Sequence, residues 1–169
     1  RQVLDGRDIR DVITGMIASI VSHTVQNGFS GQNHLDDEGY KSIMSNLEGL
    51  FFPKYAIKLT QEEIFRISAE DLTERITVKA LETYDNKERE VTPPVMREVE
   101  RVFMLRTVDE YWMEHIDAMQ ELRQGIRLRA YAQSNPVDAY KQESLTMFDE
   151  MIAAIQEDTV RRLYFFRVQ

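Results

Sequence analysis

The sequence predicts an all-α fold: a long antiparallel helical hairpin packed with a third scaffold helix, plus a small helical wing subdomain. Three observations lead there. Apolar residues recur at spacings of three and four through three long segments. Each of those segments is bounded by residues that start or stop helices. No run of strictly alternating apolar and polar residues marks a strand series, and no internal repeat is present. A hydrophobic content of 43% is that of an ordinary globular chain, sufficient for a core.

The first segment carries Ile9, Val12, Ile13, Met16, Ile17, Ile20, Val21 and Val25 on one helical stripe. Asp8 and Asp11 sit in its first turn, where the positive end of the helix dipole favours carboxylates. Asn27-Gly28 reads as its stop, because both residues tolerate the left-handed conformation that closes a helix. The spacing therefore predicts a helix over 8–26. Val12 to Leu35 contains no Asp, Glu, Lys or Arg, yet Thr14, Ser19, Ser22, His23, Thr24 and Gln26 interrupt it. A membrane span needs about 20 predominantly apolar residues, so this is a buried helix.

Short helices follow. Asp36-Asp37-Glu38 opens one expected to end near Phe51-Phe52-Pro53. Thr60-Gln61-Glu62-Glu63 has the capping-box pattern, in which threonine accepts from the third amide and Glu63 reaches back. Ser68-Ala69-Glu70-Asp71 opens another, with Leu72, Ile76, Val78, Leu81 and Tyr84 as its expected inner face. The mixed-charge run Asp85–Glu90 reads as a solvated turn or helix end.

The third section is the most regular. Thr92 caps a helix with Pro93 at its first position, where a missing amide hydrogen costs nothing. Val95, Val99, Val102, Leu105, Val108, Trp112, Ile116, Met119 and Leu122 then line one stripe, which Gly125 is expected to end. Asn135-Pro136 starts a second long helix with Val137, Tyr140, Leu145, Phe148, Met151, Ile152, Ile155, Val160 and Leu163. Two such helices with a short connection pair as an antiparallel hairpin whose leftover faces can take the first helix.

Composition excludes several functions. With no cysteine, disulfides, thiolate metal sites and cysteine nucleophiles are ruled out. His23, His34 and His115 are scattered, without the convergent ligands a zinc site needs, so no metal site is expected. Glu114, Asp117 and Glu121 share a helix face but have no partner base, and read as solvated charges. A net charge of −8 opposes non-specific nucleic-acid binding, because phosphate backbones select basic surfaces. The start, Arg1-Gln2-Val3-Leu4, has no initiator methionine or signal-peptide pattern and reads as a cut inside a longer protein.

One stretch breaks the acidic average. Leu122 to Asn135 holds Arg123, Arg127 and Arg129 without any acid, and mixes Ile126, Leu128 and Tyr131 into a connection. Local turn chemistry alone would make such a link from Gly, Asn, Asp and Ser. Either the apolar groups fold back on the hairpin, or they touch another molecule. Arginine with tyrosine also suits a nucleic-acid contact, although three arginines are a thin footprint in an acidic chain.

The stretch Val108-Asp109-Glu110-Tyr111-Trp112-Met113-Glu114-His115-Ile116-Asp117-Ala118-Met119, with Leu122 to Gln133 and then Asn135-Pro136, Tyr140–Ser144 and Met147-Phe148, resembles the SecA signature in order and spacing. A weaker resemblance reaches both ends. It implies three parts: 1–27 as the end of the long scaffold helix, 28–91 as the helical wing, and 92–169 as the two-helix finger of the scaffold. The chain carries no Gly-Lys-Ser/Thr phosphate loop, no acidic helicase-type box and no cysteine-rich C-terminal metal motif. The resemblance therefore implies no catalytic residue and no cofactor here. ATP, magnesium and the preprotein-crosslinking domain would belong to other parts of the parent ATPase, upstream of Arg1.

What the resemblance further implies is a finger that contacts the translocating preprotein at the mouth of the SecYEG channel and restrains ATP hydrolysis until both engage. Its motor domains would lie in cis, in a cytoplasmic protein peripheral at the inner face of the bacterial membrane. Tyr131 matches the fingertip tyrosine, with Ile126, Leu128, Arg127 and Arg129 beside it. An aromatic ring offers apolar area with a polar tip at low entropic cost, which suits a sliding chain of no fixed sequence. The arginines would also suit an anionic lipid surface, at about 1 kcal/mol per charge. Trp112, His115, Ile116, Met119 and Phe148 are expected to pack the scaffold, Trp112 as a core anchor. The competing reading is a free-standing helical adaptor that binds a partner protein or RNA through the same basic tip.

Overall fold

The computed structural model describes residues 6–129 and 136–168. Among them are six helices: α1 (Gly6–Phe29), α2 (Asp37–Leu47), α3 (Gln61–Arg66), α4 (Ala69–Val91), α5 (Pro93–Arg129) and α6 (Pro136–Phe165). Among the described residues the one departure from helix and loop is an isolated bridge between Glu48 and Phe52, so the all-α class is observed. The chain forms two compact units, one of residues 1–101 with 160–169 and one of residues 102–159.

In the first unit, α1 packs along α4 and α2. Its fully buried residues are Ile9, Ile13, Ile17, Val21 and Val25, every fourth position, and Phe29 continues the row. Val12, expected on the inner stripe, lies at the exposed edge. On α4 the matching row is Leu72, Ile76, Ala80 and Tyr84. Two rows spaced by four are the ridges that helices interdigitate when they cross. Val78, expected inside, is 58% exposed and Ala80 takes the buried place, because 72, 76, 80 and 84 share a face that 78 does not.

α1 runs past Asn27-Gly28 and ends at Phe29, where Ser30 and Gly31 adopt left-handed backbone (φ 52° and 76°). Gly28 serves packing instead of termination. A Cβ there would lie 2.4 Å from Ile43 Cδ1, and one on Gly39 would lie 2.2 Å from the Gly28 carbonyl oxygen. Only paired glycines let α1 and α2 approach this closely.

Helix starts follow local chemistry. Asp36 caps α2 through the Gly39 amide at 2.6 Å, Thr60 caps α3 through the Glu63 amide at 3.2 Å, and Ser68 caps α4 through the Asp71 amide at 3.1 Å. The Thr60 hydroxyl also donates to the Glu63 carboxylate at 3.3 Å, so Glu63 reaches back to the side chain of the cap. α2 stops at Leu47, short of Phe51-Phe52, because Gly49 turns the chain at φ 82°. Phe51 and Phe52 are buried beyond that turn. Between α4 and α5, Thr92 adopts φ 78°, rare for a side chain branched at Cβ, and its carbonyl accepts from the Met96 amide at 3.0 Å.

The second unit pairs the distal parts of α5 and α6. As the α5 position rises through Tyr111, His115 and Arg123, its partner on α6 falls through Asp158, Phe148 and Tyr140. That is antiparallel order, the predicted hairpin. α5 continues through Gly125 to Arg129, since one mid-helix glycine costs only about 1 kcal/mol and does not break a long helix.

Candidate functional site

The end of α5 carries the basic, apolar stretch as helix. Leu128 is 74% exposed, Arg127 is exposed, and Ile126 and Gly125 are half-buried. Leu122, one turn earlier, is buried. Arg129 is the last residue of the helix, and Tyr131 lies outside the described residues. The tip thus offers an apolar side chain and a guanidinium at a helix end.

Farther along the hairpin, Trp112 stacks obliquely on His115 (5.7 Å between centroids), and the His115 and Phe148 rings meet in a T-shape with centroids 6.1 Å apart. His115 and Met119 are half-buried, while Ile116 and Phe148 are exposed. Trp112 keeps 48% of its surface in the open and is not enclosed as a core anchor, because two helices alone can shield only one seam. Tyr111 donates its hydroxyl to Asp158 at 3.2 Å, and Arg123 donates to the Tyr140 hydroxyl at 3.3 Å. Glu114, Asp117 and Glu121 are exposed, as solvated charges should be.

In the first unit lies a polar cluster that periodicity did not reveal. Glu100 on α5 is fully buried. It accepts a short hydrogen bond from the Tyr84 hydroxyl and pairs with Arg97, whose Nε approaches Oε1 at 2.6 Å without hydrogen-bond alignment. Arg97 Nη2 also donates to Glu100 Oε2 at 3.2 Å and bonds Glu88 on α4. Arg10 on α1 then meets Asp85 at 2.5 Å and Glu88 at 3.5 Å. Three helices are tied through one chain of charges. The run read as a solvated helix end is therefore, in Asp85 and Glu88, a paired inner edge of α4.

Burial pushes the Glu100 carboxyl upward, against the pull of Tyr84 and Arg97 toward ionisation. Burial first, then the Glu100 charge, drives the Tyr84 phenol far up. Tyr164 is held neutral by burial and by Asp85, and donates to the Ala80 carbonyl at 2.7 Å. The Phe51 and Tyr164 rings meet edge to face, their centroids 4.9 Å apart. The cluster's hydrogen bonds and ion pairs link α1, α4 and α5, so it fastens helices together.

The signal for this cluster was the one-residue link at Thr92. Helices folded back about that residue bring together positions at similar distances on either side, such as Tyr84 with Glu100 and Glu88 with Arg97. Among the described residues no group of three or more His, Cys, Asp or Glu side chains converges as a metal site. Among those residues, too, no helix is long and apolar enough to cross a membrane.

A helical core fastened by buried charges, with an antiparallel pair that ends in an apolar and basic tip, defines a helical scaffold module. A model of the SecA Wing and Scaffold domain matches residues 1–168. Protein translocase subunit SecA 1 of Clostridioides difficile (strain 630) is 43% identical over 169 residues, which cover 100% of this chain and 18% of that protein. Protein translocase subunit SecA of Pelotomaculum thermopropionicum is 42% identical over 168 residues, 99% of this chain and 18% of that protein. The subunit of Clostridium novyi (strain NT) is 41% identical over 168 residues, 99% of this chain and 20% of its own length. The chain belongs to the SecA wing and scaffold family, and it spans about a fifth of the length of these relatives.

Proposed function

We propose that this chain is the non-catalytic module through which a SecA-type export motor passes ATP-driven movement to a preprotein at the SecYEG channel, and through which it restrains the ATPase. ATP and magnesium are held by motor domains elsewhere in the parent. The working surface is the hairpin end: Tyr131 with Ile126, Arg127, Leu128 and Arg129. Behind it, His115 meets Trp112 and Phe148 along the hairpin, Met119 is half-buried, and Ile116 stays exposed. The parent works in the cytoplasm at the inner face of the membrane, and Arg127 and Arg129 approach anionic lipid headgroups.

The observation that supports this reading best is Leu128, 74% exposed at the end of a helix in a chain of that family. An exposed leucine beside arginines suits brief contact with many unrelated sequences, since neither group demands a fixed partner geometry.

The test uses the full-length parent in vesicles bearing the channel, with preprotein uptake as the readout. Tyr131→Ser is expected to lose most translocation, while Tyr131→Phe and Tyr131→Trp retain it. Equal uptake by all three variants would overturn the fingertip role. The isolated 169-residue chain is expected to hydrolyse no ATP.

A further inference from the structure

Going beyond the coupling role, we propose that the cavity between the C-terminal half of α4 and residues 164–168 binds a monocarboxylate with a short apolar body, its headgroup seated between Lys87 and Arg167.

The cavity lies wholly within the first unit and measures about 660 Å³, the size of a small-ligand site. One part of its wall is apolar, from Val91, Phe166 and Val168, and another offers the Thr83 hydroxyl and Asn86 amide. Its charge is unbalanced. Arg10, Arg75, Arg97 and Arg101 of this unit all have carboxylate partners. Among the described residues no ion pair reaches Lys87 or Arg167, although the whole chain carries a net charge of −8. Among those residues Lys87 and Arg167 lack ion pairs and face one acid, Glu90, so the wall keeps one positive charge that a bound carboxylate would neutralise.

Both cations are held in place without being neutralised. Lys87 Nζ donates to the Tyr164 carbonyl at 2.6 Å and sits 4.2 Å above the Phe166 ring. Arg167 Nη1 donates to the Phe165 and Phe166 carbonyls at 3.5 and 3.1 Å, while Nε and Nη2 make no bond among the described residues. Burial, and then the Arg167 charge, lower Lys87 to about 8, with Glu90 acting in the opposite direction. Glu90 is the acid on the wall, and it opposes a second negative charge on the ligand. A single carboxylate therefore fits better than a dianionic phosphate, and the wall of Val91, Phe166 and Val168 accepts an alkyl or peptide body.

The 169-residue chain would be titrated at pH 7 with sodium hexanoate, with acetyl-Leu-Glu-Leu-amide, and with sodium chloride at matched ionic strength. NMR would follow the Asn86 and Phe166 amides and the Lys87 side chain. Saturable shifts confined to the cavity are expected with a carboxylate probe, while chloride gives only a gradual drift. Saturation by the peptide alone identifies a polypeptide side chain as the source, and saturation by hexanoate as well identifies free acids. Bound carboxylate raises the Lys87 pKa above 8, so affinity falls as pH rises past 8, at most about tenfold per pH unit. Lys87→Met should weaken binding about tenfold. Arg167→Gln, at an exposed position outside the helices, should weaken it several-fold without unfolding the chain. Absence of saturation by both probes, or affinity unchanged in Arg167→Gln, would overturn the site.

Discussion

The two units bury their apolar stripes to very different depths. In the first, α1 and α4 hide complete rows, Ile9 to Val25 and Leu72 to Tyr84, and seal Glu100 among them. In the second, Leu122, Met151 and Ile155 are buried, while Val108, Trp112, Ile116, Leu145, Phe148 and Ile152 on the same pair of helices stay partly open. A helix flanked by neighbours on two sides can bury a broad face, whereas a lone pair covers a single seam. Similar apolar periodicity thus serves two ends: a sealed core in one unit, and surface left for contact in the other.

The largest expected effect tests the sealed side. Glu100→Ala removes the acceptor of Tyr84 and one partner of Arg97 in a site closed to water. Breaking a buried ion pair in this way should cost about 3–5 kcal/mol, read as a fall in the urea midpoint. Glu100→Gln keeps an acceptor and should cost less. The two proteins also separate by pH. Because the folded carboxyl titrates above its ordinary 4.5, the folded state holds that proton more tightly than the unfolded chain. The native chain should then gain stability relative to Glu100→Gln as pH falls through the folded pKa toward 4.5, with no further gain below it. A difference that shrinks with acid would mean that Arg97 and Tyr84 outweigh burial.

Next in size is the close approach of α1 and α2. Gly39→Ala sets a methyl group against the Gly28 carbonyl, a backbone atom that cannot swing aside. The helices must separate, and overpacking of this kind costs about 1–3 kcal/mol. Gly15→Ala is the control, because a Cβ there meets nothing within 4 Å. It should be neutral or slightly stabilising, since alanine favours helix. Equal midpoints for the two alanine variants would refute the glycine contact.

These cases also show what the amino-acid order could reveal. Asp36, Thr60 and Ser68 were legible because a cap is settled within four residues of itself. Gly28 and Gly125 misled, because a helix end depends on what packs there, and tertiary contact or sheer helix length outweighs one glycine. Val78 misled because five apolar residues near one helix face do not declare which of them faces inward. The link from Arg10 to Asp85 joins positions far apart in sequence, and no local pattern announces it. Of the candidate tip, the arginines and the missing acids were plain from composition, whereas the role given to Tyr131 came from family resemblance.

The smallest effect probes the open unit directly. Leu145 lies on the same helix as buried Met151 and Ile155 but is 65% exposed. Truncating a leucine in a sealed core costs about 2–5 kcal/mol, through lost transfer energy and the cavity left behind. At position 145 neither term applies in full, because water already touches most of the side chain and fills the space it leaves. Leu145→Ala should therefore shift stability by no more than about 0.5 kcal/mol, within the range of ordinary surface changes. Ile17→Ala, in the row that α1 buries, supplies the contrasting measurement in the same denaturation series. If Leu145→Ala instead cost as much as Ile17→Ala, the second unit would be covering its stripe by self-association. Raising protein concentration would expose this directly, because dimerisation makes the unfolding midpoint rise with concentration, whereas that of a monomer does not move.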